Sequence, residues 1–306
     1  MSLRVQDICC GAGLMSYGFQ EAGFEVDCGL DNWPTAIKTY NKYIDAPGRV
    51  VDIADYFPTK KDYDIILVGA TPCQDFSRLN IRRNVFGKRA QLVLDFCRIV
   101  AAVQPEIFVF ENVIHLSKWA EVALFELKKY KVTKNIVDSA YYGVPQHRRR
   151  KIFIGCKTRH IDMVRPTEYK ILTVRDALST MPENWGFTRH RPETIKKFSK
   201  VMSTSWISKE PTSEYQGTIR LSWDAPACSI MNVKKAQILH PEEDRIISIA
   251  EAAALQGFPS WYIPEGGEVD KAIQVSNATP PMLAYHIAMR VRRVYEARQT
   301  SLDKVN

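Results

Sequence analysis

The 306-residue chain carries 42 Lys and Arg against 34 Asp and Glu, a formal net charge of +8, with 45% hydrophobic and 25% charged residues. These proportions sit near the average of folded globular proteins, and no apolar run approaches the roughly 20 residues a bilayer span needs. Seven cysteines without a C-x-x-C pair argue against both a disulfide framework and a structural zinc site. Reduced thiols and a start, Met1-Ser2-Leu3-Arg4-Val5, that enters a strand without a signal-peptide pattern predict a cytoplasmic (nucleoid-associated) or nuclear protein that is not secreted.

In chain order, Leu3–Ile8 reads as a strand, Met15–Ala22 as a helix, Glu25–Leu30 as a strand and Trp33–Tyr43 as a helix. Asp64–Val68 is a strand, Gln91–Val103 a helix, Ile107–Phe110 a strand and Leu116–Tyr130 a helix. This alternation predicts an α/β fold built of βαβ units, with a doubly wound, mostly parallel sheet covered on both faces. Lys131–Asp138 and Lys151–Cys156 are two further strands, the last of them a candidate for antiparallel pairing. After about Lys157 the rhythm breaks into a Pro- and Trp-punctuated stretch without a clear period, read as a second, irregular domain. Regularity returns with Ile246–Gln256 and with a final helix over Pro281–Arg298.

Three constellations carry chemistry. Asp7-Ile8-Cys9-Cys10-Gly11-Ala12-Gly13 follows the first strand and opens a helix. Glycines there let a ligand approach the backbone, although a tight turn alone would also explain them. Asp31 ends the second strand, where a carboxylate can hold ribose hydroxyls. Ser16 stands where a dinucleotide fingerprint would have its third glycine, which disfavours NAD. Asp64 to Ser77 is a short apolar strand that ends in Gly69 and a Pro72-Cys73-Gln74 turn. A cysteine there is either a nucleophile or a small buried filler. Glu111-Asn112-Val113 ends the next strand and offers a candidate proton donor in the same crevice.

Positive charge gathers around these elements. Arg78, Arg82, Arg83, Lys88 and Arg89 follow the cysteine turn, Arg148 to Lys151 form a second cluster, and Arg189, Arg191, Lys196, Lys197 and Lys200 a third. That distribution favours a nucleic-acid partner over charge kept merely for solubility.

Taken together these motifs resemble those of the cytosine-C5 DNA methyltransferases, in the family's order and through nearly the whole chain. The resemblance implies a class I, Rossmann-like methyltransferase that uses S-adenosylmethionine and needs no metal. The cofactor-binding positions it implies are Asp7, Cys9, Gly11, Gly13, Asp31, Asn32, Asp52, Ile53, Pro72, Leu92 and Asn277, with Asp52-Ile53 as the adenine-contacting pair. Its catalytic positions are Cys73 as nucleophile toward C6 of cytosine, Glu111 at N3, Asn112 ordering the Pro-Cys turn, and Arg148 and Arg150 of Gln146-x-Arg148-x-Arg150 holding the base oxygen and a phosphate. DNA-contacting positions are Gln74, Ser77, Arg78, Arg82 and Arg83, then Arg189, Arg191, Lys196 and Lys197.

Arg245, Glu251 and Gln256-Gly257-Phe258-Pro259 resemble the element that supports the recognition domain. The implied division is a catalytic and cofactor-binding domain, 1–165 plus 273–306, and a small target-recognition domain, 166–272. The partner is double-stranded DNA, the chain a monomer, and 76–88 the loop that closes over a flipped base. Departures from the family pattern are Cys9 for Phe, Gly69-Ala70-Thr71-Pro72 for Gly-Gly-Pro-Pro, Ala90 for Gly and Ser276 for Gly. The rival readings are a tRNA cytosine-C5 methyltransferase of the same fold and a catalytically impaired DNA-binding regulator.

Overall fold

The structure is a computed structural model that describes residues 3–58, 65–72, 87–166, 170–179, 189–203, 218–233 and 236–303. The first elements are β1 (Arg4–Ile8), α1 (Leu14–Glu21), β2 (Glu25–Asp31), α2 (Pro34–Tyr43) and β3 (Gly48–Val50). Next come β4 (Ile65–Gly69), α3 (Lys88–Val103), β5 (Ile107–Val113), α4 (Lys118–Phe125), β6 (Lys131–Asp138) and β7 (Arg149–Cys156). They are followed by α5 (Val174–Leu178), α6 (Pro192–Phe198), β8 (Thr218–Arg220), β9 (Gln237–Leu239), α7 (Ile249–Leu255), α8 (Glu268–Asn277) and α9 (Pro281–Asp303). Among the described residues no helix is long and apolar enough to cross a membrane.

Among the described residues seven strands form one sheet in the order β3-β2-β1-β4-β5-β7-β6, and β8 and β9 pair separately. The β2-β3, β1-β2, β1-β4 and β4-β5 pairs are parallel, and β5-β7 is antiparallel, as expected from the sequence. Every residue of β4 is buried, so this strand is an unbroken apolar run rather than an alternating one. Ile65 and Leu67 face a cluster with Val93, Phe96 and Val100 of α3 and Leu124 of α4. Phe96 sits within 5.0 Å of the Phe110 ring and 6.1 Å of Phe108, tying α3 to β5. Full burial of such a ring contributes about 1.5–3 kcal/mol.

The chain leaves β1 toward β2 on one side and enters β4 on the other, so the strand order reverses between β1 and β4. Ile8 stands opposite Leu30 and Gly69, and Gly69 opposite Phe110, so four parallel strands end in one row. The segments that leave this row are Cys9–Gly13, Asp31–Trp33, Ala70–Pro72 and Glu111–Val113. An open α/β sheet binds its ligands at such a switch point.

Some elements differ from expectation. Helix α4 stops at Phe125, because Tyr130 must turn back to bury against Phe108 and donate its hydroxyl to Pro105 O at 2.8 Å. Helix α7 begins at Ile249 because Ser248 caps it reciprocally with Glu251. Elements β3, α5, α6, β8, β9 and α8 had no counterpart in the sequence reading.

Two compact units divide the chain: 1–137, 149–165 and 283–306 form the first, and 138–148 with 166–282 the second. The first contains most of the large sheet. The second takes 138–148 and 273–282, which the sequence reading grouped with the catalytic part, because Gln146 and Arg148 bond within it, as described below.

Candidate active site

The loop after β1 is built on a buried carboxylate. Asp7 is 1% exposed, and Ser16 Oγ donates to its Oδ2 at 2.7 Å while lying 3.1 Å from the Tyr40 hydroxyl. Ser16 therefore has a reason to replace the third glycine of a dinucleotide fingerprint: its hydroxyl satisfies Asp7. Burial pushes the Asp7 carboxyl up to about 7. Its Oδ1 is buried and has no hydrogen-bond partner.

Beyond Asp7 the backbone is left-handed at Cys9 (φ 60°), Gly11 (φ 54°) and Gly13 (φ 88°). Cys9 adopts this region without being glycine, a cost of order 1 kcal/mol that the surrounding bonds must hold. Asp31 supplies two of them, accepting from Gly11 N at 2.8 Å through Oδ2 and from Trp33 N at 2.9 Å through Oδ1. A Cβ added at Gly11 would meet nothing within 4 Å, so space is open in front of the loop. Burial, with Asp31 and Asp7 close by, pushes the Cys9 thiol up, and burial with Asp7 does the same at Cys10. Burial likewise raises Cys28, and takes Cys97 to about 12. None of these four is a ready nucleophile, since the thiolate is the reactive form.

The Asp7 carboxyl gives a pH prediction. Between about pH 4 and pH 7 the folded chain keeps a proton that the unfolded chain has released. This contribution to stability is therefore complete at low pH and is lost as pH rises to about 7, by about 1.4 kcal/mol per pH unit. Thermal melts of the ligand-free protein are expected to show Asp7→Asn gaining on the wild type between pH 5 and pH 8. An equal difference in Tm at both values would contradict this.

Asp52 is exposed, accepting from Asn32 Nδ2 at 3.3 Å and from Ala54 N at 3.0 Å, while Ile53 is buried in the core. Leu92, on α3, packs against the same core. At the end of β4 only glycine fits: a Cβ on Gly69 would lie 2.7 Å from the Phe96 ring and 3.0 Å from Ile8 O. Thr71 and Asn112 are both buried, and Asn112 Nδ2 donates to Thr71 O at 3.1 Å and Oγ1 at 3.3 Å. Asn112 thus fixes Thr71, which precedes the Pro72-Cys73 pair in the chain. Glu111 is 7% exposed, and Arg150 Nε, on the antiparallel neighbour β7, donates to its Oε1 at 2.9 Å. Cys73, Gln74, Ser77, Arg78, Arg82 and Arg83, with most of the expected closing loop, lie outside the described residues.

The family model described as C-5 cytosine-specific DNA methylase matches residues 3–293. The chain belongs to this family. It is a DNA (cytosine-5) methyltransferase by class, and its relatives bear this out. The Type II methyltransferase M.HgiDI of Herpetosiphon aurantiacus is 31% identical over 305 residues, covering 94% of this chain and 93% of that protein. The Type II methylase M.HgiDII of the same organism is 29% identical, covering 95% and 96%. A crystal structure from E. coli, described as a DNA modification methyltransferase encoded within a prophage, shares the fold. Its TM-score is 0.77 at 22% identity, over 96% of this chain and all (100%) of that one.

The methylase's second unit holds the remaining site positions. Arg148, expected to face the base, is 3% exposed and donates to Ile230 O at 3.1 Å, Ser276 O at 2.9 Å and Ala278 O at 3.2 Å. Gln146 donates to Leu255 O and to Gln256 Oε1 and accepts from Ile230 N. Gln256 in turn donates to Val275 O at 3.2 Å and Ala278 O at 2.9 Å. The Gln-x-Arg motif of this methylase is thus a buried frame joining four separated segments. Asn277 is exposed at the end of α8.

Arg245 grips Glu251 through two 2.8 Å bonds. Burial works to raise Glu251, but these bonds hold its carboxyl below the usual range. Arg189, Arg191, Lys196 and Lys197 are exposed on and before α6. Beneath them Arg220 donates to Phe198 O, Val201 O, His240 O and Glu243 O and pairs with Asp244 at 2.6 Å. Sequence reasoning missed Arg220 because backbone carbonyls, its main partners, leave no trace in a sequence.

Proposed function

We propose that this methylase transfers a methyl group from S-adenosylmethionine to C5 of a cytosine flipped out of double-stranded DNA. The transfer passes through a bond between Cys73 Sγ and C6 of the base. The observation that carries this reading is the Glu111 carboxyl held by Arg150 at the end of β5, beside an Asn112 that fixes Thr71 ahead of the Pro72-Cys73 pair.

The residues present fit the cofactor. The open space before Gly11, the left-handed turn and the Asp31 carboxylate suit a nucleoside-bearing ligand. Asp7, Cys9, Gly11, Gly13, Asp31, Asn32, Asp52, Ile53, Pro72, Leu92 and Asn277 would hold it. When bound, S-adenosylmethionine supplies the electrophilic methyl that C5 takes up.

The chain's own residues do the rest. Cytosine is unreactive at C5 until a nucleophile saturates C6. The Cys73 thiolate adds to C6, and the displaced π electrons gather at N3, which Glu111 protonates or hydrogen-bonds. C5 is then enamine-like and nucleophilic. Once C5 carries the methyl, a base removes the C5 proton, any proton given to N3 returns to Glu111, the S–C6 bond breaks, and the C5=C6 bond and the thiolate return. Arg150 orients Glu111, and Arg148 braces the backbone of Ile230, Ser276 and Ala278 within the second unit. A stacked base is out of reach of a thiol, so the target must be extruded from the duplex.

Residues 166–272 are proposed to recognise the sequence around the target. The exposed Arg189, Arg191, Lys196 and Lys197 contact phosphates, which position the enzyme without specifying bases. Gln74, Ser77, Arg78, Arg82 and Arg83 complete the DNA-binding set. The enzyme is proposed to act as a monomer in a reducing compartment that holds DNA.

Transfer of labelled methyl to unmethylated duplex DNA and, in parallel, to tRNA tests this reading. Label on DNA supports it, and sequencing the product gives the recognition site. Label on tRNA alone moves the protein to the RNA-methylating branch, and label on neither favours an impaired regulator.

A further inference from the structure

The segment that follows Asp52 has neither helix nor strand over 51–58, yet one side chain from a distant element holds it. Arg98, in the middle of α3, donates through Nη2 to Ile53 O at 2.8 Å and Ala54 O at 3.3 Å, and through Nη1 to Tyr56 O at 2.6 Å. Its guanidinium lies over the Phe57 ring, 4.2 Å from the centroid. Asp95, one turn earlier on α3, takes Nε at 3.4 Å and Nη2 at 3.0 Å and so sets the plane of the fork. One planar group therefore fixes three carbonyls and a ring within five consecutive residues, a task that suits a rigid five-donor fork and not a lysine.

The consequence reaches Asp52 directly. Its carboxylate accepts from Ala54 N and Asn32 Nδ2, so its position depends on the turn that Arg98 holds. Ile53, whose carbonyl Arg98 takes, is anchored in the core on its side-chain side. Backbone and side chain of this residue are thus fixed from two directions.

We propose that Arg98 is a positioning residue for the adenine-side wall of the cofactor site. It sets the conformation of Asp52–Tyr56, and through it the affinity for the adenosyl group, without touching the ligand. The proposal rests on the reading of Asp52 and Ile53 as that wall.

The test is calorimetric binding of S-adenosylhomocysteine to the wild type, Arg98→Met, Arg98→Lys and Asp52→Asn. It is joined by steady-state kinetics and by amide hydrogen exchange of the ligand-free protein. Arg98→Met is expected to weaken binding roughly 10-fold or more and to raise KM for S-adenosylmethionine alike. The kcat at saturation and KM for DNA should stay within about two-fold. Exchange at 53–57 should quicken without ligand, which a loss confined to the bound state would not cause. Arg98→Lys, which keeps the charge, should fall between the two and serves if the methionine variant does not fold. Unchanged affinity in both Arg98 variants would overturn the proposal and leave the wall reading standing. Unchanged affinity in Asp52→Asn would overturn the wall reading and the proposal with it.

Discussion

Cys73→Ser is expected to lose roughly 10^3-fold or more in methyl transfer while still binding DNA. The argument is one of ionisation. A thiol near its ordinary pKa supplies some thiolate at neutral pH, whereas a serine hydroxyl supplies almost no alkoxide, and C6 of cytosine is too weak an electrophile for a neutral hydroxyl. Cys9, Cys10, Cys28 and Cys97 cannot substitute, because burial pushes each of them up. Filter-bound label reports the turnover, and a gel shift reports the binding. Normal methylation by the serine variant would remove the covalent step from the account.

The second large effect is at Glu111. Glu111→Gln keeps the shape and an oxygen that can accept from Arg150 Nε, which donates at 2.9 Å in the wild type. What it removes is the carboxyl proposed to protonate or hydrogen-bond N3. Loss of a positioned general acid lowers kcat about 10^2- to 10^4-fold. Tm should fall, because Arg150 and Glu111 are both largely buried and the arginine loses the charge that pairs with it, so turnover is compared below the melting temperature of the variant. A variant that turns over normally would place the charge on N3 in the care of another group.

The sheet was legible because parallel strands buried on both faces are written as continuous apolar runs, as in Ile65 to Gly69. Alternation with helical segments then fixed the parallel pairing. Strand β3 escaped because three residues after a Pro-Gly turn carry no period, and Asn41 rather than hydrophobic patterning holds Gly48. Helix α8 escaped because its apolar residues are few, and its start depends on Asp270 accepting from Gly267 N. In the site, the positions of Asp7, Asp31, Glu111 and Asn112 followed from strand ends. The partners did not. Arg148 was expected to face the base and is a buried brace, and Arg98 carried no signal in the sequence. Both bond to backbone carbonyls far away in the chain, and a carbonyl has no sequence signature.

The central claim is a bond between Cys73 and C6 of the target cytosine. The most direct measurement uses duplex DNA carrying the site found by sequencing, with 5-fluorocytosine at the target. Fluorine at C5 cannot leave as a proton does, so the chain, once bonded and methylated, has no route to elimination. Mass spectrometry of the digested complex is predicted to find the DNA attached to the peptide containing Cys73, and only when S-adenosylmethionine is present to complete the transfer. An enzyme that methylates ordinary cytosine at this site yet gives no adduct with the fluorinated duplex, or bonds through another residue, would contradict the account.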